Sequence, residues 1–207
     1  MPKSQFAPSR FQLIFATLAL LAALLVAGTA YYFAASIHAT TSTGTALVGG
    51  PFSLTDQTGR KVTGKDFLGK YMLVFFGYTY CPDICPTELQ VMSAALDSLG
   101  AKADDIQPIF ISIDPQRDTP EVLQQYVVNF HPRLLGLTGS PEEIASVAKA
   151  YRVYYSKVEG NSGPDNYLMD HSTIIYLMDR QGKFLKHFTY STDAAALAKA
   201  IEEAISS

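Results

Sequence analysis

The sequence predicts an α/β domain: a mixed β-sheet covered by helices, opened by a small hairpin and preceded by one apolar transmembrane helix. Three observations lead there. Apolar runs at Tyr71–Phe76 and Ile109–Ile113 have the length and composition of strands buried on both faces. Between and after them lie stretches with apolar residues at three- and four-residue intervals, the period of a half-buried helix. Finally, the 45 residues from Phe11 to Thr55 carry no Asp, Glu, Lys or Arg.

The charge-free stretch opens as FQLIFATLALLAALLVAGTAYYF, Phe11 to Phe33, with Gln12, Thr17 and Thr29 its only polar side chains apart from the tyrosines. As a helix these residues reach roughly 34 Å, enough for a hydrocarbon core of about 30 Å. A cleaved secretory signal has a shorter apolar region, roughly 7–15 residues. The Ala-Gly-Thr-Ala step at 27–30 resembles a cleavage site, but the length favours an uncleaved anchor over residues 11–35. Tyr31, Tyr32 and Phe33 suit an aromatic belt. Lys3 and Arg10 precede the span and no cation follows within 20 residues, which places the tail, residues 1–10, in the cytoplasm and the remainder across the membrane. In a bacterium that means an inner-membrane protein with a periplasmic domain. The tail is not the amphipathic, Arg-rich segment of a transit peptide. Residues 36–50, SIHATTSTGTALVGG, are small and polar without a period, and read as a linker.

Residues 51–207 form the domain, long enough for one packed core. Phe52–Leu54 and Lys61–Thr63 flank the turn Asp56-Gln57-Thr58-Gly59, a hairpin. After the strand Tyr71–Phe76, Leu89, Met92, Ala95, Leu96 and Leu99 give Pro86–Leu99 a helical period. Beyond the strand Ile109–Ile113, Thr119-Pro120 opens a helix reaching about Phe130, with Thr as cap and Pro at the first helical position. Leu134–Leu137 is a short strand. Ser140-Pro141-Glu142-Glu143 is a capping box opening a helix to Tyr151. Val153–Lys157, Thr173–Met178 and Phe184–Thr189 are strands, and Asp193–Ile205 is a last amphipathic helix. Alternating βα units with a late hairpin give the thioredoxin-like arrangement with an N-terminal hairpin extension.

Charge and cysteine content narrow the chemistry. The chain carries 16 Lys+Arg against 19 Asp+Glu, and two of the cations lie before the apolar span, so the domain is acidic. A basic nucleic-acid surface is excluded as the leading idea. The 48% hydrophobic content excludes a disordered chain. Two cysteines are too few for a disulfide scaffold or an all-thiolate zinc site.

Those two cysteines follow the first buried strand: Gly77-Tyr78-Thr79-Tyr80-Cys81-Pro82-Asp83-Ile84-Cys85-Pro86. Each precedes a proline, which pushes it away from helical backbone, so residues 81–85 are expected as a loop. Pro86 suits the first helical position, which makes Cys85 the expected cap, its sulfur among free N–H groups that favour a thiolate. The pair lies at the carboxyl end of a strand, where open α/β sheets place their sites, with Gly77, Tyr78, Tyr80 and Asp83 on the approach. A plain stabilising disulfide is the ordinary alternative. So short a loop would gain only about 2 kcal/mol from it, which favours a reactive pair.

Two thiolates prefer Cu(I), zinc or iron–sulfur. Zinc wants four ligands, and common clusters need four cysteines. Two sulfurs with one imidazole would suit copper. Of four histidines, His38 falls in the linker, His131 precedes Pro132 beyond a helix, and His187 sits beside Lys186 on a strand. His171, in Tyr167-Leu168-Met169-Asp170-His171-Ser172-Thr173, stands at the entrance to a buried strand. Position alone leaves it more often a packed or surface histidine than a ligand. The loop NSGPDN, residues 161–166, can bring it to the cysteines, and Asp170 can orient its ring.

Four stretches in register carry a resemblance: CPDICPTEL after FFGYTY, ISIDPQRDTP, HPRLLGLTG, and MDHSTIIYLMD with Gly182-Lys183 following. Over roughly residues 48–206 the chain resembles the Sco/SenC family of copper-binding thioredoxin-fold proteins. The resemblance implies that Cys81, Cys85 and His171 bind copper as Cu(I) and Cu(II). It further implies a role in assembling the dinuclear copper centre of cytochrome c oxidase subunit two, with an upstream copper donor and a thiol reductant as further partners. Such proteins deliver copper, reduce the cysteines that receive it, or both. The segment Asp114–Pro120 also matches; physically it is a turn and helix cap, with Arg117 within reach of Asp114 or Asp118.

Four functions follow from these residues: a copper chaperone, not primarily an enzyme; a thiol–disulfide reductase with Cys81 and Cys85 as its redox pair; a peroxidase of peroxiredoxin type; and a copper sensor. Only the copper functions need His171. A peroxidase needs one low-pKa cysteine and a peroxide pocket.

Overall fold

The computed structural model describes residues 10–38, 48–159 and 167–206. The chain divides into two compact units, Met1–Thr45 and Ala46–Ser207. In the first, helix α1 is Arg10–His38, 29 residues, about 43 Å at 1.5 Å per residue. Its described side chains, at 11 and 18–31, are all exposed, Leu20, Leu21, Leu24 and Leu25 among them. Among the described residues no helix is long and apolar enough to cross a membrane. The tail, residues 1–9, and most of the expected linker, residues 39–47, lie outside the described residues. Ser36–His38, expected in the linker, continue the helix.

The second unit is built on a seven-stranded sheet: β1 (Ser53–Asp56), β2 (Lys61–Thr63), β3 (Tyr71–Gly77), β4 (Ile106–Ser112), β5 (Leu135–Thr138), β8 (Ile174–Met178) and β9 (Phe184–Thr189), in the order β2-β1-β5-β4-β3-β8-β9. The central strands β3, β4 and β5 run parallel, and β8 and β1 join them antiparallel. The apolar runs explain the centre: Leu73, Phe75, Phe76, Ile109, Phe110 and Ile111 are completely buried. Burial of each such side chain is worth about 1.5–3 kcal/mol. Four helices complete the unit: α2 (Ile84–Leu99), α3 (Pro120–Val127), α4 (Pro141–Ala150) and α5 (Ala194–Ile205), with α2 packed on α5. The mixed thioredoxin-like sheet with its opening hairpin is as the sequence predicts.

Four details differ, each for a local reason. Val48–Gly50 belong to the domain rather than a linker: the Gly49 N–H donates to the Ala150 carbonyl at 2.9 Å, and Val48 packs against the core. Gly49 has φ +88°, and a Cβ there would clash with the Met178 methyl. Helix α3 ends at Val127, short of Phe130. The strand expected from Val153 begins only at Tyr155, because α4 closes in a Schellman turn. Arg152, at φ 61°, takes the left-handed position, and the Val153 N–H reaches back to the Ala148 carbonyl at 2.8 Å. Last, β6 (Tyr155–Glu159) pairs with a strand the sequence reading missed, β7 (Tyr167–His171), as a separate antiparallel ribbon. The joining loop, including NSGPDN, lies outside the described residues.

Candidate metal centre

The site begins where β3 ends. Gly77 has no side chain because none fits: a Cβ would stand 2.8 Å from the Cys85 sulfur and 2.9 Å from the Phe110 ring. The loop that follows is tied to β4. The buried Asp118 carboxylate accepts the Thr79 N–H at 3.0 Å, the Thr79 hydroxyl at 2.6 Å and the Ser112 hydroxyl at 2.5 Å. Burial still leaves the Asp118 pKa above its ordinary value.

Helix α2 starts earlier than the prolines suggest. Its cap is Asp83 and its first residue Ile84, so Cys85 lies within the first turn and Pro86 behind it. Proline is tolerated there because first-turn N–H groups have no helical partner to lose. The exchange reverses the expected roles of the sulfurs. Cys81, not Cys85, caps the free N–H groups: its sulfur accepts the Cys85 N–H at 3.4 Å and also the Asp83 N–H. Cys81 is half-buried and Cys85 fully buried, and both are free thiols. The Cys85 thiol donates to the Cys81 sulfur. That bond, together with the Cys85 and Asp83 backbone N–H groups, holds the Cys81 pKa far below the ordinary thiol range. The same bond and burial push Cys85 up. Cys81 is thus the sulfur held toward the thiolate and Cys85 the one held toward the thiol.

His171 arrives on β7. Its Nδ1 faces the Ser172 carbonyl oxygen at 3.1 Å, which can only accept, so Nδ1 carries the ring proton. That leaves Nε2 as the nitrogen without a proton, and it lies 3.4 Å from the Cys85 sulfur. A thiolate and an imidazole on one soft cation stand about 3.5–3.7 Å apart, from bond lengths near 2.3 and 2.0 Å. The ring is packed edge-on against Phe75 at 6.2 Å and Tyr78 at 6.0 Å. The buried Tyr78 hydroxyl also accepts the Met169 N–H. Among the described residues no group of three or more His, Cys, Asp or Glu side chains stands as a finished metal cage. What converges is two sulfurs and one imidazole in mutual contact, a donor set suited to a soft cation.

The remaining expected residues sit further out. Asp170 does not orient the His171 ring; Ser172 does. Successive strand residues point to opposite faces, and Asp170 is exposed. Asp83 contributes backbone rather than carboxylate: its carbonyl accepts from Thr87, and its N–H reaches Cys81. Tyr80 is 60% exposed beside Cys81, on the approach. His131 is buried and accepts the Arg133 N–H at 3.1 Å, and His187 is exposed on β9. The side chain of His38 lies outside the described residues. Sequence reasoning left Thr79, Ser112 and Asp118 without a site role. The signal available was an acid directly after the ISIDPQR stretch, at a second strand end beside the first.

The SCO1/SenC family model matches residues 40–206. Protein SCO1 homolog 1, mitochondrial, of Arabidopsis thaliana is 47% identical over 165 residues, 79% of this chain and 49% of that protein. This chain thus spans about half the length of the curated relatives it matches first. Two solved structures are similar. Arabidopsis thaliana ScoI with copper bound has 46% identity and a TM-score of 0.73, over 77% of this chain and 98% of that one. Bradyrhizobium japonicum ScoI with copper bound has 47% identity and a TM-score of 0.70, over 76% and 99%.

Proposed function

The chain belongs to the SCO1/SenC family, and from that membership we propose that it is a membrane-anchored copper metallochaperone. It holds copper through Cys81, Cys85 and His171, as Cu(I) or Cu(II), and helps assemble the dinuclear copper centre of cytochrome c oxidase subunit two. The observation that carries this reading is the convergence of the Cys81 and Cys85 sulfurs with the unprotonated Nε2 of His171. Two similar structures contain copper. Three donors hold a soft ion while leaving a face open, so an incoming thiolate or imidazole can take it by ligand exchange. Cys81, the partly exposed sulfur, is where the recipient meets the cargo. Residues 11–35 anchor the chain: α1 is apolar, and its described side chains are exposed all round. By the positive-inside rule the N-terminus is cytoplasmic and the domain, residues 51–207 with Val48–Gly50, lies across the membrane, on the periplasmic side in a bacterium.

A second reading rests on the proton distribution. A thiolate at Cys81 beside a protonated Cys85 is the pattern of a thiol–disulfide reductase. Cys81 would attack a disulfide of subunit two, releasing one of its thiolates. Cys85, on losing its proton, would displace the second, so two electrons pass to the target and a Cys81–Cys85 disulfide remains.

Titration of the reduced full-length protein with copper tests the first reading. One copper per chain is expected, lost in Cys81→Ser and Cys85→Ser and in the oxidised protein. Tight binding by the disulfide form would refute the ligand assignment. His171→Ala separates the two functions: chaperone activity needs the imidazole and disulfide reduction does not. Normal oxidase assembly without His171, but not without Cys81, would make reduction the main role.

A further inference from the structure

The ribbon β6–β7 delivers His171, yet among the described residues neither of its strands pairs with the central sheet that carries the two cysteines. Phe75, Tyr78 and the Ser172 carbonyl set the ring itself, and the ribbon that carries it needs its own tie to the cysteine loop. We propose that Arg117 is the positioning residue that provides it, a clasp between the two ligand-bearing segments; the inference rests on the copper reading above.

The clasp touches both sides of the site. The Arg117 guanidinium lies 3.6 Å from the centre of the Tyr167 ring and 4.5 Å from that of Tyr80. Tyr167 opens the strand that ends at His171, and Tyr80 immediately precedes Cys81. Its Nη1 donates to the Tyr167 carbonyl at 3.0 Å, and its Nε to Asp114, which also accepts the Tyr167 hydroxyl at 2.7 Å. Lys157 sits 3.5 Å from the Tyr167 ring centre, adding a second cation to this aromatic anchor of the ribbon. Asp114 is itself held to the Ser112 hydroxyl, which bonds the Asp118 carboxylate under the cysteine loop.

The Arg117 side chain is only 14% exposed, and its Nη2 is buried without a hydrogen-bond partner among the described residues. A group kept merely to neutralise Asp114 would turn that nitrogen to water. Here it is given up so that the flat guanidinium can stack on Tyr167 and near Tyr80, a geometry lysine cannot copy.

The two oxidation states should respond differently. Cu(I) is satisfied by two thiolates, whereas Cu(II) depends more on the imidazole. We therefore compare full-length wild type, Arg117→Met, Arg117→Lys and His171→Ala by competition for Cu(I) and for Cu(II), and by the sulfur-to-Cu(II) charge-transfer band. Arg117→Met should weaken Cu(II) by about 10–100-fold, the range for groups that orient a ligand. It should shift the band toward that of His171→Ala, with little change in Cu(I). The copper-free protein gives a separate readout: amide exchange over Tyr167–His171 should quicken while β3 and β4 stay protected. If Arg117→Met does not fold, Arg117→Lys carries the same comparison. Unchanged Cu(II) affinity, an equal loss for both oxidation states, or unaltered exchange in β7 would overturn the clasp. Failure of the wild type to bind copper would instead overturn the functional reading.

Discussion

At position 77 one methyl group separates a working site from a broken one. A Cβ there would press on both the Cys85 sulfur and the Phe110 ring, and Phe110 is fully buried, so neither neighbour can retreat freely. Gly77→Ala should cost about 1–3 kcal/mol, the usual range for overpacking, read as a lower thermal midpoint together with weaker copper binding. A second prediction concerns the proton shared by the sulfurs. Because Cys81 is held low, its thiolate persists well below pH 7, and the alkylation rate should fall only as pH drops through that depressed value. At pH 5 one cysteine per folded chain should react with iodoacetamide, and peptide mapping should find it at Cys81. A rate that titrates near 8.5, the ordinary thiol value, would contradict the pairing. The sequence reading had the physics of this helix end but gave it to the wrong sulfur. Spacing shows that a cysteine precedes a helix; whether that helix starts at Ile84 or Pro86 decides which sulfur meets its N–H groups, and a two-residue difference is invisible in composition.

The elements themselves were largely legible. The strands β3 and β4 announced themselves as continuous apolar runs, and the helices by their caps. Thr119 and Ser140 act as read, accepting the Val122 and Glu143 N–H groups. What escaped was β7. It has the alternation of a half-buried strand, with Tyr167, Met169 and His171 more enclosed and Leu168 and Asp170 exposed. It is short, however, and its partner's start is hidden behind the Arg152 turn, a left-handed position that glycine usually marks. The loop between β3 and α2 depends equally on distant residues. Asp118 accepts three hydrogen bonds there, and Asn offers only one carbonyl oxygen. Asp118→Asn should therefore destabilise the domain by about 1–3 kcal/mol. It should also release the Thr79 amide to faster hydrogen exchange; an amide still as protected as in the wild type would show that the loop is held by something else.

Over the whole molecule, the charge-free stretch that first stood out divides into an apolar helix and the start of a packed domain. If α1 is an anchor, the full-length protein should stay in the membrane pellet through alkaline carbonate extraction, and protease added to the cytoplasmic face should spare the domain. Release by carbonate would remove the anchor from the proposal and leave the metal centre untouched. For the proposed chaperone role the decisive question is whether copper leaves the site for its target. The most direct test is transfer in vitro from copper-loaded, full-length protein to the isolated, reduced copper domain of cytochrome c oxidase subunit two. Wild type should fill that domain and give its dinuclear spectrum, His171→Ala should load poorly with Cu(II), and Cys81→Ser should deliver nothing. Wild-type protein that binds copper but never yields it to the reduced domain, while still reducing that domain's disulfide, would contradict the chaperone role.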